Sequence, residues 1–305
     1  YPWLKTDIKL GRKVFKKYPE IVTKTKQVFV QRIAYVILSQ TQMPLIYAFT
    51  TLQSVALYGN YMMLIERAAS LVNLTMGGVN GSIGNLIAEN NQKKIISVFW
   101  ELRAFRYWAA FVLIFSFYYF IEPFIGIWLG NDYILDKSVL VIILINIFIG
   151  QTRIVVMGFL NGYGLFKDIW SSVVETILNL GAAILLGHFY GLAGVLLGVT
   201  ISLCLVIGFW KPYFLFKEGF HLPVIEYWKK TAIYLIISFL IWWLIDYIFV
   251  PYIHLNEIKS YTDLIVAIAC LVPIYALITW VLYYYYANGM KNFSQRIYKF
   301  FIKKR

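Results

Sequence analysis

Three long apolar runs in the second half of the chain leave it little choice of solvent. Residues 191–210 (GLAGVLLGVTISLCLVIGFW), 231–250 (TAIYLIISFLIWWLIDYIFV) and 263–286 (DLIVAIACLVPIYALITWVLYYYY) each reach the length needed to cross a hydrocarbon core of about 30 Å at about 1.5 Å per residue. The remaining composition agrees. The chain is 60% hydrophobic and only 14% charged, with a mean hydropathy of +0.68. A soluble body carries about 25% charged residues, so too few charges are present here to coat one. The expectation is an all-α, polytopic membrane protein.

Eight spans, A to H, are predicted at about 27–50, 54–86, 95–121, 137–160, 168–188, 191–211, 230–250 and 262–286. The connecting segments then alternate sides. Segments 1–26, 87–94, 161–167, 211–230 and 287–305 hold 21 of the 28 Lys and Arg residues, whereas the opposite set holds only Lys137 and Lys259. By the positive-inside rule the basic set is cytoplasmic, with both ends of the chain inside. The net charge of +13 therefore reads as topology rather than as nucleic-acid binding. The organisation expected is a basic interfacial segment (1–26), a six-helix lobe (27–211), a cytoplasmic connector (212–229), two accessory helices (230–286) and a basic tail (287–305). Residues 3–18 and 290–305 mix Lys and Arg with Phe, Trp and Ile, as helices lying on anionic lipid do. The chain begins with Tyr1 and shows no signal peptide; the expectation is that an upstream part is missing.

Polar residues within the spans are aligned. In span B, Asn60, Glu66, Arg67, Ser70, Asn73, Gly77, Asn80, Gly81 and Gly84 fall within one sector of about 160°. Span A aligns Arg32, Tyr35, Ser39 and Gln42; span D aligns Asn146, Gly150, Arg153 and Met157; span E aligns Ser172, Glu175 and Asn179. A charge at the bilayer centre costs on the order of 2.5–3.5 kcal/mol on insertion scales, so such faces look toward protein or water. A shared hydrophilic cavity explains the set, with Arg32, Gln42, Asn60, Arg67, Asn73, Arg153, Glu175 and Asn179 lining it and Glu66 or Glu175 as an ion-coupling group. The alternative is interhelical pairing, of Arg67 with Glu66 or Glu175 and of Arg153 with another carboxylate. Arg103 and Arg106 are expected to snorkel from the inner end of span C. Glu122 and Asp246 lie near the outer ends, and spans G and H look lipid-facing.

The glycines of VNLTMGGVNGSIGNLIAENNQKK (72–94) suit close helix packing and a bend, through Gly77-x-x-x-Gly81, Gly78 and Gly84. A phosphate-loop reading is weak, since GxxxxGK[ST], a preceding strand and a βαβ unit are all missing. No HExxH, GxSxG or metal-ligand spacing occurs. Cys204 and Cys270 lie inside apolar spans as small hydrophobes. No catalytic residue, metal or cofactor is expected.

Three segments carry a resemblance: ALYGNYMMLIERAASLVNLTMGGVNGSIGNLIAENNQKK (56–94), EPFIGIWLGNDYILDKSVL (122–140) and FLNGYGLFKDIWSSVVETILNLG (159–181). In this order they resemble polysaccharide flippases of the multidrug/oligosaccharidyl-lipid/polysaccharide exporter superfamily, the O-antigen and capsule repeat-unit transporters. Where relatives often show Pro-Ser-Leu-Gly near the end of span B, this chain has Asn80-Gly81-Ser82-Ile83-Gly84. The resemblance implies a second lobe (A to F) plus an extra helix pair (G and H), with an N-terminal lobe as partner. The implied task is to move an undecaprenyl-diphosphate-linked oligosaccharide across the bacterial cytoplasmic membrane, beside a polysaccharide polymerase and chain-length proteins. Arginines would draw in the anionic diphosphate, and two lobes would rock in alternating access. A cation-coupled drug exporter, a membrane-embedded polysaccharide-synthesis enzyme and a purely structural subunit are the competing readings. The short outer segments count against the enzyme.

Overall fold

The structure is a computed structural model that describes Gly11 and residues 17–74, 79–252 and 258–302, with backbone alone at 79–81, 252 and 300–302. Its helices are α1 (Pro19–Phe49), α2 (Leu52–Leu74), α3 (Val79–Ala88), α4 (Gln92–Trp128), α5 (Lys137–Gly162), α6 (Ile169–Ser202), α7 (Ile225–Ile248), α8 (Tyr261–Tyr286) and α9 (Asn288–Ile302). Among the described residues there is no strand. Five helical stretches are long and apolar enough to cross a membrane. The chain is an all-α polytopic membrane protein.

Local chemistry sets the helix starts. Pro19 occupies the first turn of α1 with Glu20 beside it, where a missing N–H costs nothing and an acid meets the helix dipole. Asn91 caps α4 by accepting from Lys94 N at 3.1 Å. Asp136 caps α5 by accepting from Ser138 N at 2.8 Å. Ser260 caps α8, accepting from Asp263 N at 3.2 Å.

The longest apolar stretch, Ile169–Phe220, runs for 52 residues and folds back on itself at Gly191, whose φ of 54° and ψ of −128° suit glycine alone. The two arms meet backbone to backbone. A Cβ on Gly194 would stand 1.9 Å from Leu186 O, and one on Gly198 would stand 2.3 Å from Ala183 N. Small residues thus let the arms approach where lipid supplies no hydrophobic drive. This fold-back separates the predicted spans E and F. Beyond Ser202 the second arm continues as wider, π-helical turns over Leu203–Trp210 and Leu215–Phe220, around Lys211–Phe214. The connector expected at 212–229 is therefore helical as far as Phe220, and only 221–224 link it to α7.

α4 is the axis of the bundle and is buried on all sides for most of its length. Around Phe99, the rings of Phe159, Phe216 and Phe220 pack edge-on at 5.3, 5.7 and 5.0 Å, each pair contributing roughly 0.5–1.5 kcal/mol. α7 and α8 bury 22% and 28% of their most apolar windows, against 50% for α4, as expected for a lipid-facing pair. They are nonetheless fastened to α4. Trp108 Nε1 donates to Ala276 O at 2.9 Å, and Tyr119 bridges Trp242 and Asp246 at 3.0 and 2.6 Å.

Of span B, expected over 54–86, the described parts are helical, as α2 and α3; residues 75–78 lie outside the described residues. α1 and α2 are long enough to cross a membrane but fall short of the apolarity of the other five stretches, because they carry the polar faces.

Candidate functional site

α1 lines two polar cavities at successive positions along its length. Through Gln31, Ala34, Tyr35 and Leu38 it faces α5 and α6 across a cavity of about 300 Å³. Arg153 enters from α5, Glu175 and Ser172 from α6, Gln31 and Tyr35 from α1, and Lys211 from the helix beyond Ser202. Glu175 is buried, and the charges of Arg153 and Lys211 both act on it. Yet among the described residues no ion pair closes on Glu175 or Arg153. Lys211 is committed elsewhere. Its ammonium lies 2.7 Å from Asp168 Oδ2, with both side chains almost wholly buried, and Ser171 Oγ donates to the same carboxylate oxygen at 3.1 Å.

Further along, through Ser39, Gln42 and Met43, α1 faces α2 across a cavity of about 550 Å³, lined also by Tyr58, Glu66, Arg67 and Ser70. Gln42 Nε2 donates to Tyr58 OH at 2.7 Å. Glu66 and Arg67 are exposed and form no ion pair among the described residues. Both cavities can hold a polar or ionic group, since each offers an arginine whose donors are not consumed by a carboxylate.

The expected single cavity is thus two. Gln42, Glu66 and Arg67 share one, and Arg153 and Glu175 share the other. The remaining candidates stand apart. Arg32 is exposed, its guanidinium 5.2 Å from the ring of Tyr35, and it lines neither cavity. Asn60 is half-buried and lines neither. Asn179 donates to Ser202 Oγ at 3.1 Å and so ties the two arms of α6 together. Asn73 accepts from Arg106 Nη2 at 2.5 Å. Pairing of Arg67 with Glu66 or Glu175, and of Arg153 with a carboxylate, is not what the described residues form.

Of the glycines, Gly77 and Gly78 lie outside the described residues, and Gly81 is described by backbone alone. Gly84 has open space around it; the close approach between α3 and α5 occurs instead at Gly162, where a Cβ would stand 2.8 Å from Ile87 Cδ1.

Arg103 and Arg106 do not snorkel. They are 1% and 0% exposed, because α4 is central and offers no route to water. Arg103 sits 3.3 Å from the ring centroid of Tyr227 and 4.9 Å from that of Tyr107. It donates to Tyr107 OH at 3.1 Å and to Thr231 Oγ1. Arg106 donates to Val72 O at 3.1 Å and to Asn73. Sequence reasoning also missed Asp168 and Lys211, which it placed at span ends; an acid and a base at two inner ends were the available signal.

An apolar groove of about 520 Å³ runs along α4 between α2 and α8, lined by Leu64, Val72, Trp108, Phe117, Phe120 and Leu264 among others. Among the described residues no group of His, Cys, Asp and Glu could hold a metal ion. Comparison with protein-family models, with curated proteins and with solved structures finds no match to this chain.

Proposed function

We propose that this chain is one lobe of a transporter that moves a lipid-linked oligosaccharide across the bacterial cytoplasmic membrane, with an N-terminal lobe completing it. The observation that carries this reading is the cavity of Arg153 and Glu175, a polar space between helices of a membrane protein in which the Arg153 guanidinium makes no ion pair among the described residues. Such a space is costly to maintain in a bilayer and suits an anionic head group such as an undecaprenyl diphosphate. The apolar groove along α4 suits the hydrocarbon part of the same amphiphile. The resemblance of segments 56–94, 122–140 and 159–181 supports the same conclusion. In this reading eight helices span the membrane with both ends of the chain cytoplasmic. The cavity opens alternately to either side as the lobes rock, and no bond of the substrate is broken.

The test is Arg153→Ala and Arg67→Ala in the protein that carries both lobes. Loss of surface polysaccharide at unchanged protein level is the expected outcome; wild-type polysaccharide from both variants overturns the cationic-cavity mechanism. A cation-coupled exporter is the second reading, favoured by one observation, the buried Glu175 with no ion-pair partner among the described residues. That reading requires efflux driven by a proton or sodium gradient and lost in Glu175→Gln.

A further inference from the structure

α9 begins one residue after α8, immediately beyond the aromatic turn 283–286, where a chain leaves the hydrocarbon for the interface. At helical spacing its residues sort into two sides. Gly289, Met290, Phe293, Ile297 and Tyr298 share one; Lys291, Asn292, Gln295, Arg296 and Lys299 share the other.

The inner end of α4 covers the first half of the apolar side. A Cβ on Gly289 would stand 2.3 Å from Trp100 O, so the two backbones touch. Met290 is fully buried, and Phe293 stacks on Phe105 at 4.8 Å. The second half of that side is uncovered: Ile297 is 38% and Tyr298 68% exposed. The charged side is only partly engaged. Arg296 turns to the buried carboxylate of Glu101 at 3.0 Å, whereas Lys291 and Lys299 are exposed and make no ion pair among the described residues.

We propose that the uncovered surface of α9 rests on the anionic lipid surface, with Ile297 and Tyr298 among the headgroups and Lys291 and Lys299 on lipid phosphates. Only a surface that is both apolar and anionic satisfies both halves of the pattern. Free phosphate would engage the lysines and leave Ile297 and Tyr298 in water. A second copy of this chain, at +13, would repel the basic side. α4 thus sets the position of α9, and lipid charge completes its hold. This inference does not depend on the transport reading.

The test uses the full chain in nanodiscs of phosphatidylcholine, with and without phosphatidylglycerol, and amide hydrogen exchange over residues 288–302. Phosphatidylglycerol should slow exchange in the second half of α9 by up to about 25-fold, from about fivefold for each of the two lysines, and added salt should reverse the effect. In Lys291→Gln/Lys299→Gln, which leaves the α4 contact intact, the two lipids should give the same exchange. Equal exchange of the wild-type helix in both lipids, or an undiminished lipid effect in the double variant, overturns the proposal and leaves α9 held by α4 alone.

Discussion

The Lys211 ammonium lies 2.7 Å from Asp168 Oδ2 across 43 residues of sequence, with the two side chains 3% and 2% exposed. The other carboxylate oxygen of Asp168 is buried and has no partner among the described residues. The pair ties the start of α6 to the arm that folds back from it, and Lys211 lines the cavity that holds Glu175.

Removing one member of such a pair leaves a buried charge uncompensated, which costs about 3–5 kcal/mol. Lys211→Met and Asp168→Asn are each expected to lower the thermal midpoint of the purified protein in detergent. The apolar double replacement Asp168→Leu/Lys211→Met should recover most of the loss. A double variant as unstable as the worse single one would show that the pair holds more than itself in place.

Arg103 has no carboxylate partner among the described residues and is held by ring faces instead, with Tyr227 at 3.3 Å. A desolvated cation–π contact contributes on the order of 2 kcal/mol. Tyr227→Leu should therefore destabilise by about that amount, and exchange should rise over α7, which carries Tyr227 and Thr231. Arg103→Lys should cost as much, since an ammonium cannot stack flat on the ring. Unchanged exchange in α7 would mean that other contacts hold it to α4.

The fold-back at Gly191 makes a sharp distinction among glycines. Gly194→Ala and Gly198→Ala place a methyl group against backbone atoms of the opposite arm, at 1.9 and 2.3 Å, and overpacking of this kind costs about 1–3 kcal/mol or more. Gly84→Ala and Gly181→Ala meet nothing within 4 Å and should be neutral or slightly stabilising, because alanine is the better helix former. Yield of monodisperse protein and thermal midpoint should separate the two pairs. Equal behaviour of all four would exclude tight packing of the arms.

Asp136 supplies a pH-dependent cap. The Ser138 backbone N–H and hydroxyl hold its carboxyl below the ordinary carboxylate value. A lowered folded pKa means that the cap's contribution is present above the unfolded value of about 3.9 and is lost as pH falls through the folded one. Protection of the Val139 and Leu140 amides should fall over that acid range in the wild type. Asp136→Asn retains a capping oxygen and should flatten the dependence.

Much of the bundle was legible beforehand because the bilayer imposes a length and an apolarity that any single helix must meet alone. The runs over 191–210, 231–250 and 263–286 each satisfy that rule without reference to neighbours, and the break between α5 and α6 carries its own turn signals. The polar faces were legible for the same reason, since a polar residue is costly anywhere in hydrocarbon. Which polar residues meet is a different kind of fact. Arg67 and Arg153 have the same sequence character, yet they line two different cavities. Helical spacing aligns Asn179 and Asn73 with the cavity groups, but each is bound by a neighbour, Ser202 or Arg106.

What the sequence by itself determined is the solvent of this protein, its helical class and which helices carry a polar side. Only the tertiary structure decided that Arg103 and Arg106 stay buried, that Lys211 belongs to Asp168, and that half of α9 is taken by α4. Those outcomes depend on which surfaces reach one another across long separations, and helical periodicity, which relates residues only a few positions apart, holds no record of them.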